Sequence, residues 1–156
     1  MSFSIQLHSD ISYSSTAINN ITYLFNFSQV FIEDGPYKLT WTFRGNPGTA
    51  IAYFPNVNLD IGSVNGSSYI GNDTNNATTK TLLIGTLNYN RYMTGATDYY
   101  YNCNLNDNPP IIYNSINKSA NYIKVQLTQP GTNTLITSAN MGAYVLNLYF
   151  EKIKII

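Results

Sequence analysis

Residues 37–44 alternate apolar and polar side chains without a fault: Tyr37, Leu39, Trp41 and Phe43 share one parity, Lys38, Thr40, Thr42 and Arg44 the other. A strand sends successive side chains to opposite faces, so this period of two commits the segment to a sheet with one face buried and one wet. Elsewhere the same period returns. Phe3, Ile5 and Leu7 alternate with Ser2, Ser4, Gln6 and His8, and Ile21, Tyr23, Phe25, Phe27 and Phe31 share one parity across 21–31. Ile123, Val125 and Leu127 do so within 122–128, as do Leu146, Leu148 and Phe150 within 143–153.

Turn chemistry separates these runs. Glu33-Asp34-Gly35-Pro36, Gly45-Asn46-Pro47-Gly48 and Pro130-Gly131-Thr132-Asn133 each combine residues that accept left-handed backbone with a proline that fixes it. Shorter strand candidates lie at 50–54, 57–61, 81–89 and 111–113, the first two split by Pro55, which has no donor for a ladder. The Gly/Ser/Asn/Thr-rich stretch 62–79 and the polar stretch 90–110 read as long loops. Residues 9–20 are too rich in Ser and Asn to propagate a helix, and no repeat of solenoid or propeller length is present. The prediction is therefore one all-β domain over 1–156. Tight turns mixed with long crossings favour a single jelly-roll β-sandwich of about eight antiparallel strands. The Cys…Trp…Cys spacing of an immunoglobulin domain is missing, because Cys103 is the sole cysteine.

What covers such a sandwich follows from composition. Only 10% of residues are charged, against roughly 25% in an ordinary soluble domain, and 8 basic residues balance 8 acidic ones. Asn (22), Thr (16), Ser (13) and Tyr (14) must build the surface instead. With no basic patch, the phosphate-neutralising term of nucleic-acid binding has no source, and no nucleic-acid partner is expected. The 44% hydrophobic content excludes a disordered chain. No apolar run is long enough for a membrane-spanning helix. The start, Met1 to His8, lacks a basic and then apolar leader, so a protein that is not secreted is expected. Six Asn-x-Ser/Thr sequons follow from the composition and are not read as glycosylated. The lone Cys103 cannot close an intrachain disulfide and fits a reducing compartment. A neutral surface lacks the self-repulsion that keeps small domains apart, which points to association with copies of itself.

Catalysis needs a positioned base, nucleophile or metal. His8, the only histidine, falls on the polar face of its strand, and Cys103 has no His or Cys near it in sequence. Asn104, Asn106 and Asp107 lack the glycine and bidentate Glu of a calcium loop, and Gly45 and Gly48 precede no helix that would cradle phosphate. The expectation is a protein that is not an enzyme, with no cofactor and no metal. Trp41 belongs with the core by its parity. Tyr99, Tyr100 and Tyr101 are consecutive, so a strand would point them to both faces and leave at least one exposed; these three are the candidate interface residues.

The order of three segments carries a resemblance. Tyr37-Lys-Leu-Thr-Trp-Thr-Phe-Arg44 is followed by Ile123-Lys-Val-Gln-Leu-Thr128, a Pro-Gly turn, and Tyr144-Val-Leu-Asn-Leu-Tyr-Phe-Glu151. This pattern, across about 21–154, resembles the small single jelly-roll capsid proteins, penton or minor capsid, of large icosahedral double-stranded DNA viruses and virophages. The resemblance implies a structural capsid component of the virion. It would be made in the host cytoplasm and would pack as a homopentamer at fivefold vertices or beside neighbouring capsid proteins. A carbohydrate- or receptor-binding β-sandwich, such as a lectin module or fibre head, is the alternative expectation.

Overall fold

The computed structural model describes residues 1–9, 14–46, 48–49, 54–61, 82–91, 98–114, 116, 119, 121–132, 134–137 and 142–154. Among the described residues, twelve strands and one helical turn follow in chain order: β1 (Ser2–His8), β2 (Ser14–Ala17), β3 (Asn20–Leu24), α1 (Phe27–Val30), β4 (Tyr37–Gly45), β5 (Gly48–Thr49), β6 (Asn56–Asp60), β7 (Leu82–Thr86), β8 (Asn88–Arg91), β9 (Asp98–Cys103), β10 (Ile111–Tyr113), β11 (Tyr122–Thr128) and β12 (Tyr144–Lys152). They form two antiparallel sheets.

In the first sheet β1 pairs with β12 and β12 with β4. Both β10 and β9 then lie along the free edge of β4, Ile111 opposite Leu39 and Cys103 opposite Phe43. Together they make one strand interrupted by an excursion: seven residues, 104–110, face three, 40–42. On β9, Asn102 is shared by β4 and β8, and Tyr99 by β5 and β8, so β5 continues the path of β4 while β8 takes the opposite edge. The second sheet runs β2-β3-β11-β6-β7. With the short strands set aside and β9–β10 taken as one, eight principal strands remain. The first sheet then orders them first, eighth, third, sixth, and the second sheet second, seventh, fourth, fifth. This is the doubly wound Greek-key order of a jelly roll, and the sequence-based fold class holds.

The alternating segments behave as their parity demands. Along β4 every odd residue is buried, and β12 pairs with it through nine consecutive positions, Tyr144 with Gly45 through Lys152 with Tyr37. Trp41, Leu39, Phe43, Leu146, Leu148 and Phe150 face the second sheet, whose Ile21, Val57, Leu59, Ile123 and Val125 close the core from the other side. Each such side chain, fully buried, contributes on the order of 1.5–3 kcal/mol.

Two segments depart from their sequence-based reading. The strand expected over 21–31 stops at Leu24, and 27–30 form one helical turn in which Phe31 N donates to Phe27 O at 2.8 Å. That turn delivers Phe27 and Phe31 to one end of the sandwich. There the Phe31 ring meets Phe3, Tyr37 and Phe150 at centroid distances of 4.9, 5.2 and 5.0 Å, each edge-on. The expected loop 90–110 contains β9 and the end of β8, so part of it is sheet. The expected loop 62–79 lies outside the described residues.

Candidate functional site

On the outer face of the first sheet, four rungs run across β1, β12 and β4: Ser2–Glu151–Lys38, Ser4–Tyr149–Thr40, Gln6–Asn147–Thr42 and His8–Val145–Arg44. These are the polar parities of three alternating strands, brought into register by the same pairing that buries their apolar partners. Charge sits on the two outermost rungs. At one end Lys38 Nζ lies 2.9 Å from Glu151 and Lys152 lies 3.6 Å from Glu33. The Lys38 ammonium beside it holds the Glu151 carboxyl below its ordinary value.

Both inner rungs are neutral, and Gln6–Asn147–Thr42 is joined side chain to side chain. His8 Nε2 donates to Gln6 Oε1 at 2.7 Å, Gln6 Nε2 to Asn147 Oδ1 at 2.8 Å, and Asn147 Nδ2 to Thr42 Oγ1 at 3.3 Å. Beside this ladder the face dips into a depression of about 450 Å³, lined by Gln6, Thr42, Arg44, Asn102, Asn104 and Asn147. Arg44 is exposed and makes no ion pair among the described residues. His8 thus stands on the polar face, as its parity predicts, and is part of a structural chain of hydrogen bonds.

Below the depression the sheet is sealed by Cys103, 1% exposed. Burial pushes its thiol up to about 11, more than the Asn108 amide donating to sulfur at 3.1 Å lowers it. At neutral pH the group is a thiol, which is the weak form of a nucleophile. Asp107, considered above for calcium, instead accepts from Asn104 N at 2.8 Å and Asn88 Nδ2 at 3.2 Å. Among the described residues no three His, Cys, Asp or Glu side chains gather as metal ligands.

The tyrosine run lies on β9. Pairing of Cys103 with Phe43 fixes the inward parity of that strand, so Tyr101 is fully buried in the core and is withdrawn from the interface set. The side chains of Tyr99 and Tyr100 lie outside the described residues. Sequence reasoning missed the depression. Its polar residues come from β1, β4, β12 and β9 with Asn104 just beyond it, and only the register of those four strands brings them together. No family model, curated protein or solved structure matches the chain.

Proposed function

We propose that this chain is a structural subunit of an icosahedral viral capsid, closing as a homopentamer at fivefold vertices or packing as a minor component beside neighbouring capsid proteins. The reading includes synthesis in the host cytoplasm and incorporation into the virion. The strand order carries it: two principal sheets wound as a jelly roll, a shape whose flanks pack side by side. Jelly rolls serve lectins as well as shells, and here the zero formal charge favours the shell. Copies of a neutral subunit approach without long-range repulsion, and Asn, Thr and Tyr side chains supply short-range hydrogen bonds once they meet. A ring needs a heterologous contact, one flank against a different flank, with a rotation that closes.

Light scattering on the purified protein, with negative-stain images, tests this. A chain of 17.5 kDa is expected at five times its own mass, in closed rings, or else bound stoichiometrically to purified capsomers. A protein that stays at single-chain mass over its soluble range and binds no capsomer refutes the capsid reading.

A further inference from the structure

The depression on the outer face of the first sheet combines two properties that a passive surface does not need. Along its lining runs a ladder in which each amide is already held: Asn147 accepts from Gln6 and donates to Thr42, and Gln6 accepts from His8. Each group nevertheless keeps spare capacity, since an amide has two donors and two lone pairs and a hydroxyl has one donor and two lone pairs. Asn147 and Gln6 each retain one N–H and one lone pair, and Thr42 retains its O–H. Side chains fixed before a ligand arrives lose little rotamer freedom on binding it. The N–H and carbonyl lone pair that stand side by side on one amide suit vicinal hydroxyls, which both donate and accept.

The second property is the lone charge. Arg44 lines the depression, is exposed, and has no acidic partner among the described residues. Its planar fork matches a carboxylate with two parallel hydrogen bonds. Outside that lining, Tyr149, 40% exposed, holds the next same-face position beyond Asn147 on β12 and adds an exposed aromatic face beside the ladder. Asn102 and Asn104 of the β9 end close the opposite side.

We infer that this depression binds a carboxylate-bearing saccharide, its hydroxyls held by the Gln6–Asn147–Thr42 ladder and its carboxylate by Arg44. The site goes beyond the assembly reading and stands independently of it, because it lies within one chain. Titration of the 15N-labelled full chain with 3′-sialyllactose, lactose and sodium acetate, followed by NMR, tests it. Sialyllactose is expected to shift the side-chain amide signals of Gln6 and Asn147 saturably and to bind about tenfold more tightly than lactose. Acetate alone should bind far more weakly than either the acidic or the neutral sugar. Arg44→Gln should abolish the preference for sialyllactose while keeping residual lactose binding, and Asn147→Ala should weaken both sugars, each variant keeping the backbone spectrum of the parent. Equal affinity for the two sugars overturns the role of Arg44. Acetate binding as tightly as sialyllactose means a bare carboxylate site and overturns the saccharide assignment. Absence of shifts at Gln6 and Asn147, or shifts confined to another surface, overturns the site, whatever mass the protein has in solution.

Discussion

Along the seam between β4 and β12, nine consecutive residue pairs keep one register, whereas at the corner where β7, β9 and β10 meet the register breaks twice. The seam is held by backbone ladders, and its side chains are left free to sort by parity into core and surface. The corner has lost ladder partners in two places. Ile84 bulges out between Val57 and Asn58 of the neighbouring strand, and the 104–110 excursion leaves the edge of β4 away from β12 without a strand partner over 40–42. Side chains there replace the missing backbone. Trp41 Nε1 donates to Ile84 O at 3.0 Å across the core. Asn108 acts as a stand-in peptide on the edge of β7: Oδ1 accepts from Thr86 N at 3.0 Å, and Nδ2 donates to Thr86 O at 3.2 Å and to Cys103 Sγ at 3.1 Å. Gly85 sits where a Cβ would meet the Asn108 side chain and lie 2.6 Å from Trp41 Cζ2, so only glycine lets indole and amide approach this closely. An amide-rich sequence is thus used in two ways: to finish the fold at the corner and to pattern the surface on the seam.

If that contrast is right, the corner should fail first. Trp41 stands on the seam but its indole reaches the corner, so Trp41→Ala removes the largest buried side chain and the bond from Nε1 to the bulged Ile84 carbonyl. A loss of about 3–5 kcal/mol is expected, a large share of the total for a domain of this size. Urea unfolding measures it. A loss no greater than that of an ordinary buried leucine on the seam, such as Leu148→Ala, would break the comparison at its strongest point.

Asn108→Ala comes next. It frees Thr86 N and O on a sheet edge and removes the donor to Cys103, so about 1–3 kcal/mol should go, with Asn108→Asp nearly as costly because a carboxylate cannot donate to Thr86 O. Amide hydrogen exchange at Thr86 should accelerate in Asn108→Ala, whereas Asn108→Asp keeps an acceptor for Thr86 N. Unchanged protection there would mean that the excursion only decorates the edge.

Cys103 reports on the same corner through pH. Its thiol is raised from 9.0 to about 11, chiefly by burial, so folding favours the neutral form. That contribution is complete below pH 9 and is lost as pH climbs through about 11. The fall in melting temperature across this window should be shallower in Cys103→Ala than in the parent. Iodoacetamide at pH 8 should label the native thiol far more slowly than the unfolded one; equal rates would place the corner open to solvent.

The seam was legible in the sequence because each of its residues obeys one rule. Strict alternation in 37–44, and Leu146, Leu148 and Phe150 on one face of 143–153, predicted both strands, the buried parity and Trp41 in the core. Phe27 and Phe31 misled for a physical reason: a spacing of four preserves strand parity and also puts two residues on one face of a helical turn. The corner was illegible because its order comes from tertiary partners. Pro109 and Pro110 mark Asn108 as the end of a loop, but nothing local shows that it bonds both backbone groups of Thr86, and β9 is a strand because β4, β5 and β8 flank it. Tyr101 could not be sorted from Tyr99 and Tyr100 without the pairing of Cys103 with Phe43. The depression depends in the same way on a register no single segment encodes.

The smallest effect is expected on the seam's wet face, at a residue of the same type as Asn108. Asn147 also bonds two partners, yet both are side chains, Gln6 and Thr42, at a surface where water can replace it. Asn147→Ala should therefore change stability by no more than about 0.5 kcal/mol, while Asn108→Ala costs several times that. The two substitutions delete the same atoms, so the difference isolates what the amide was bonded to: backbone with no other partner, or side chains with water at hand. Equal losses in urea unfolding would show that the ladder across β1, β12 and β4 is itself a structural element, and the polar face of the seam would then belong with the corner.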